Sequence, residues 1–407
     1  MDRVGDGGGA MSVLAEQASQ RFGQLGWPTP RLEEWKYTNL SSLTQREWAR
    51  ATTPASVDLS SVTLGDRAVA EYVYVNGVYA PELSTPNPLF VMAPSTREQH
   101  YARYADYANH AMTALNTANA QDGALLQIDA SINGFVHVIH YSTDGYASHP
   151  RNLFVVARGA QAAIVERYAG TGTYFTNAVT ELVAGEGAVV DHYKLECESI
   201  DAFHIATTQV HEQRAAAVTT RAISLGGAVV RNETNVALTG EGASIVLEGL
   251  YVLTGRQHVD NHTVVDHARP HCESLELYKG ILDQSARGIF DGKIIVRPGA
   301  QKTVSRQTNN NLLLSETAIA DSKPTLEIFN DDVKCNHGST IGQLDEQAMF
   351  YLRSRGVGEA EARSLLVYAF ASEIVDRMKV EPVREQVRRI MFRALPNHLP
   401  ERRESER

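Results

Sequence analysis

The chain has 407 residues, 43% of them apolar and 21% charged, an ordinary balance for a soluble protein and enough length for two or three packed units with a substantial core. A formal net charge of −10 argues against a nucleic-acid partner, which needs a basic face to neutralise phosphates. No apolar run approaches the roughly 18 to 20 residues of a membrane span, and the opening MDRVGDGGGAMSVLAEQ has an acid and glycines where a secretory signal has an apolar core, so the expected compartment is the cytoplasm.

Residues 1–123 read as a mostly helical region with one hairpin. Ser12 to Leu25 carries Val13, Leu14, Ala18 and Phe22 at near-helical spacing and stops at Gly26 and Pro28, while the native origin of the cluster Gly5 to Gly9 is left open. A short helix is expected around Arg31 to Thr38. Asn76-Gly77, between Tyr72-Val73-Tyr74-Val75 and Val78-Tyr79, is a two-residue hairpin signal, since both turn positions want positive φ. Tyr101 to Ala120 reads as a helix ended by Asp122-Gly123.

Residues 124–342 change character, to short runs rich in Val, Ile, Leu, Tyr and Thr broken by Gly or Asn. The step Gly-Ala recurs at Gly159, Gly187, Gly227, Gly242 and Gly299, which suits tight corners where a Cβ would clash. A sandwich, a barrel or a β-solenoid fits this pattern, and the repeated corner favours the solenoid. Residues 343–407 return to helical spacing. Asp345 to Arg355 forms one helix closed by Gly356, and Glu359 to Met378 a second with Leu365, Leu366, Ala369, Phe370 and Ile374 as its stripe. A third opens at Glu381-Pro382 and carries Val383, Val387, Ile390, Met391 and Ala394. The tail ERRESER is charged and expected to be disordered.

Cys197, Cys272 and Cys335 lie far apart with no paired short spacing, so they form neither a disulfide framework nor a four-cysteine metal knot. No G-x-x-x-x-G-K-[ST] occurs, and Gly288 to Ile294 has the wrong spacing and no hydroxyl after its lysine; G-x-G-x-x-G and G-x-S-x-G are also absent. Two constellations remain. His258, His262, His267 and His271, followed by Cys272, place each pair four apart, hence on one strand face; the odd separation between the pairs puts them on opposite faces unless Ala268-Arg269-Pro270 turns the chain. Asp260, Asp266 and Glu273 are available to orient these rings. The stretch Thr325 to Gly356 delivers Cys335 and His337 to one strand face where extended structure gives way to helix, and a thiol with an imidazole suits iron, zinc or copper(I). Two ligands leave a tetrahedral site incomplete, so others must come from elsewhere in the fold or from a second chain. Asp331 and Asp332, just upstream, could attract ferrous iron, but solvated surface carboxylates are the readier explanation. The run Leu326 to Cys335 has no internal proline and reads as a single edge strand open to a partner.

The blocks RLEEWKYTNL (Arg31 to Leu40), ELYKGILDQSARGIFDGKI (Glu276 to Ile294), AQKTVSRQTNNNLLLS (Ala300 to Ser315) and KPTLEIFNDDVKCNHGSTIGQLDEQAMFYLRSRG (Lys323 to Gly356) resemble the SufB/SufD family of scaffold subunits from the SufBCD iron–sulfur cluster assembly complex, over about Leu14 to Leu395. The run Lys334 to Gly338 is of the SufD type. The resemblance implies a right-handed parallel β-helix between helical ends and no catalysis by this chain. It also implies an edge strand paired with a SufB-like subunit, a nascent cluster shared at that interface, and C-terminal helices docking the SufC-like ATPase. His337 matches the family's functional histidine and Cys335 its neighbouring cysteine. A homodimer in isolation and a flavin on the complex stay open. The rival reading is a metal-dependent enzyme on a β-solenoid using His258, His262, His267 and His271. A carbohydrate-acting β-helix is weakened because Trp27, Trp35 and Trp48 all precede the β region.

Overall fold

The computed structural model describes residues 8–394; part of the cluster Gly5 to Gly9 and the charged tail lie outside the described residues. Strands are β1 (Ala70–Val75), β2 (Val78–Tyr79), β3 (Leu125–Ile128), β4 (Val136–Ser142), β5 (Ala147–Ser148), β6 (Arg151–Val156), β7 (Gln161–Gly170), β8 (Phe175–Ala184), β9 (Val189–Cys197) and β10 (Phe203–Glu212). They continue as β11 (Ala217–Ser224), β12 (Val229–Leu238), β13 (Ser244–Leu253), β14 (His258–His267), β15 (Glu273–Leu282), β16 (Arg287–Val296), β17 (Val304–Leu313), β18 (Ile319–Ile328) and β19 (Lys334–Gly342). Apart from the antiparallel β2, the strands pair in parallel from one turn to the next, which builds a parallel β-solenoid of about eight turns from two facing sheets, the first running β2-β1-β4-β7-β9-β11-β13-β15-β17-β19 and the second β3-β6-β8-β10-β12-β14-β16-β18. Phe203 sits between Phe175 and Val229 in register, so a turn takes about 28 residues, within the range of solenoid repeats.

Strand alternation decides what lies inside. In β13, Ile245, Leu247, Tyr251 and Leu253 enter the interior core, while Leu250 and Val252 face outward onto the C-terminal helices. The Gly-Ala corners form, with φ of 69° at Gly159, 66° at Gly187 and 69° at Gly242, but a Cβ at these positions would meet open space, so the left-handed backbone and not a clash accounts for glycine there. The same in-register corner is occupied by Ala215, His271 and Lys302, also left-handed at 53°, 60° and 60°. Each of these amides donates to the carbonyl just before the next corner, as His271 does to Gln301 at 2.9 Å. The residue after each corner is buried: Ala160, Ala188, Ala216, Ala243, Cys272 and Thr303.

Helix α1 (Gly8–Leu25) stops at Gly26, whose φ is 69°. The Asn76-Gly77 hairpin forms, yet β1 also pairs in parallel with β4, so the first rung of the solenoid begins within the N-terminal region. Arg31 to Thr38 holds only a 3-10 turn at Glu33–Trp35, because side chains pin it to the outer face of the second sheet: Trp35 lies 3.9 Å from the Arg231 guanidinium, and Thr38 donates to Asp260 at 2.5 Å. The expected helix Tyr101 to Ala120 forms only in its second half, as α4 (Ala111–Asn119); α3 (Pro94–His100) ends just before Tyr101, and α2 (Ser41–Thr44) lies upstream. In the non-helical first half the Glu181 carboxylate accepts from the amides of Ala102, Tyr104 and Ala105 at 2.8 to 2.9 Å, which draws these donors out of a helical ladder.

The C-terminal helices are α5 (Glu346–Ser354), α6 (Glu359–Val375) and α7 (Glu381–Ala394). Helices α6 and α7 cover the outer face of the first sheet. The buried stripe of α6 is Ala362, Val367, Ala371 and Ile374; of the expected stripe Ile374 is buried and Phe370 packs at its edge, while Leu365 is exposed. At one end of the first sheet the short β2 turns back antiparallel; at the other, β19 and β18 are the last strands of their sheets.

Candidate functional site

The last turn carries the site. Strand β19 pairs with β17 on one side only, and Lys334 N–H donates to Thr303 at 2.8 Å. Parallel alternation therefore directs the N–H and C=O groups of Cys335, His337, Ser339 and Ile341 to the free edge. In β18 the equivalent outward row includes Pro324, since Ile319 N–H faces Ala286 on the paired side; proline interrupts that edge as a donor row. The expected single strand from Leu326 to Cys335 is in fact two strands with a corner between Ile328 and Lys334. Asn330 Oδ1 accepts from Asp332 N–H at 3.2 Å and the Asp332 carbonyl takes the Lys302 amide at 2.7 Å, which fixes the bend.

Cys335 and His337 share the inward-facing row of β19, in register with Ser305 and Gln307. Cys335 is half-buried against Ile294, Val296 and Leu326, and burial pushes its thiol pKa up; His337 is exposed. Beneath them the interior turns polar. Under Cys335, Ser305 accepts from Ser274 at 2.8 Å, and Ser274 is bonded to His267 Nε2 at 2.9 Å. Under His337, Gln307 donates to Glu276 at 3.0 Å, and Glu276 also accepts from Thr263 at 2.9 Å. Burial raises the Glu276 carboxyl to about 7 against these two donors. The sequence reading missed this row; its only signal was a run of inward-parity polar residues in Gln307, Asn309 and Asn311, which looks like a solvated strand face.

The four histidines upstream do not converge. His258 and His262 lie on the outer face of β14, His267 points into the interior, and His271 is a corner residue. The outer pair belongs to the anchor of the N-terminal segment: His258 bonds Thr38 at 2.9 Å, His262 bonds Asp260 at 2.8 Å, and Asp260 also holds Arg231 at 2.6 Å. Burial alone would raise Asp260, but Arg231 and His262 carry its pKa below the ordinary value. Burial lowers His267 to about 4. Asp266 is paired with Arg297 and Asp332 with Lys302. Among the described residues no group of three or more His, Cys, Asp or Glu side chains is placed to hold a metal ion.

A parallel β-solenoid with helical segments on the outer faces of both sheets, ending in a strand that carries Cys335 and His337, defines the class of fold. The chain belongs to the SufB/SufD family. Residues 138–370 match the model described as SUF system FeS cluster assembly, SufBD core domain, and residues 8–133 the SufBD protein N-terminal region. It is 33% identical to an iron-sulfur cluster assembly SufBD family protein of Synechocystis sp., over 91% of this chain and 88% of that one. It is 30% identical to the iron-sulfur cluster assembly protein SufD of Escherichia coli, over 95% and 93%. Protein ABCI7, chloroplastic, of Arabidopsis thaliana is 33% identical over 59% of this chain and 52% of its own length. The chain is an iron–sulfur cluster assembly subunit.

Proposed function

We propose that this chain is a non-catalytic scaffold that pairs with a SufB-like subunit through the free edge of β19, so that a nascent cluster is built between the two. The observation that carries this reading is the placement of Cys335 and His337 on a terminal strand whose outward backbone groups have no neighbour in the sheet. Such an edge recruits another strand unless it is blocked. Two ligands from one chain need completion from a second, and His337 serves as the interface ligand with Cys335 supporting it. In isolation, two copies of this edge can pair as a homodimer.

ATP hydrolysis belongs to a SufC-like partner docked on the C-terminal helices. Support comes from α5, which is N-capped by Asp345, buries none of its residues and leaves Phe350 75% and Tyr351 57% exposed. Aromatic residues of this kind anchor protein interfaces. The three free thiols, Cys197, Cys272 and Cys335, fit a reducing compartment such as the cytoplasm.

Co-expression with SufB-like and SufC-like subunits followed by mass analysis of the purified assembly tests the proposal. A complex containing all three chains is expected; a chain that purifies alone with stoichiometric metal and turns over a substrate would overturn it.

A further inference from the structure

Gln307 lies one strand below His337 in register and is 1% exposed. Its Nε2 donates to Glu276 Oε2 at 3.0 Å, and the side chain crosses the interior to Gly292, where a Cβ would stand 2.3 Å from Nε2. The other amide atom, Oε1, is buried and accepts no hydrogen bond among the described residues. A buried amide oxygen left unpaired costs about 1–3 kcal/mol, so a donor is to be expected. On the next rung Pro324 stands in register above Gly292 and His337 above Gln307 itself, with the hydroxyls of Ser322 and Ser339 one inward position to the side, above Phe290 and Asn309. Proline has no N–H. A neutral imidazole has one ring N–H to give.

We propose that Gln307 is a positioning residue for His337: its Oε1 accepts the imidazole N–H, which fixes the ring's tautomer and orientation and leaves the other nitrogen's lone pair turned to the partner interface. Histidines that bind metals commonly donate their second ring N–H in this way, and loss of the acceptor typically weakens binding 10–100-fold. Glu276 and Thr263 hold the amide from below, so the column acts as one unit. An amide oxygen has two lone pairs, so a proton on Glu276 can share Oε1 with the imidazole. The purpose of the bond rests on the reading of His337 as a ligand; the bond itself does not.

The test uses the full chain with 15N-labelled histidine, long-range 1H–15N correlation spectra at a pH where His337 is neutral, and assignment of its signals by His337→Ala. Wild type is expected to show one tautomer, Gln307→Met the mixture of a free imidazole, and Gln307→Glu a return to one tautomer because an acceptor is restored. Circular dichroism checks that each variant folds; if Gln307→Met does not, the wild-type spectrum decides alone. A tautomer mixture in wild type, or one unchanged by Gln307→Met, overturns the proposal. A fixed tautomer together with full cluster yield from His337→Ala would keep the positioning contact and remove the ligand role.

Discussion

Replacing Glu276 with Gln should stabilise the protein above neutral pH and do so less at lower pH. Glu276 is fully enclosed, and burial raises its carboxyl from 4.5 to about 7. Because the folded-state value exceeds the unfolded one, the fold favours the neutral acid: the contribution is fully present below about 4.5 and is lost as pH rises through 7. At ~1.4 kcal/mol per pH unit, the cost of carrying Glu rather than a neutral residue grows from about 1.4 kcal/mol at pH 5.5 to about 3 kcal/mol above pH 8. Gln has nearly the same shape and keeps an oxygen for Thr263 and Gln307. Urea unfolding of wild type and Glu276→Gln at half-unit steps from pH 5.5 to 8.5 measures the difference. It should widen by about 2 kcal/mol across that range and level off near its top. A pH-independent difference, or a wild type that is the more stable at pH 8, would refute the assignment of a neutral acid in the interior.

Ser339→Pro removes an N–H that faces the free edge and leaves the β17 ladder untouched, so it should abolish pairing with the partner subunit on size exclusion while circular dichroism stays native. Phe350→Ser with Tyr351→Ser should weaken ATPase binding at least tenfold in calorimetry without lowering the melting temperature, since both side chains are exposed. Trp35→Ala removes a 6%-exposed ring from Arg231 and should destabilise by about 3–5 kcal/mol in chemical denaturation, with the N-terminal segment gaining protease sensitivity first.

Much of the architecture is written in local chemistry. Asn76-Gly77 announces its hairpin, and the Gly-Ala corners announce the solenoid, because both depend on a backbone conformation that glycine adopts freely. The corners at Ala215, His271 and Lys302 carry no glycine, so the column could not be read in full. His271 and Cys272 look like ligands in sequence; in space one is a left-handed corner and the other fills the small buried slot behind it. The Tyr101 to Ala120 helix loses its first half for a non-local reason, the Glu181 carboxylate. Likewise, Leu326 to Cys335 contains its own bend, which Asn330 and Lys302 stabilise from outside the strand pattern. Cys335 and His337 were legible as a pair because strand alternation alone puts them on one face. Glu276 and Gln307 were not, since inward and outward polar rows look identical until both sheets are in place.

The central claim is that His337 presents a ligand to a cluster shared between chains. The most direct test is iron and acid-labile sulfide content of the co-purified assembly with wild type and with His337→Ala. The side chain is exposed, so the substitution should cost at most about 1–3 kcal/mol, that of the Gln307 contact, and leave the fold and the subunit stoichiometry intact while iron and sulfide fall several-fold. Equal cluster content in two equally assembled complexes would contradict it.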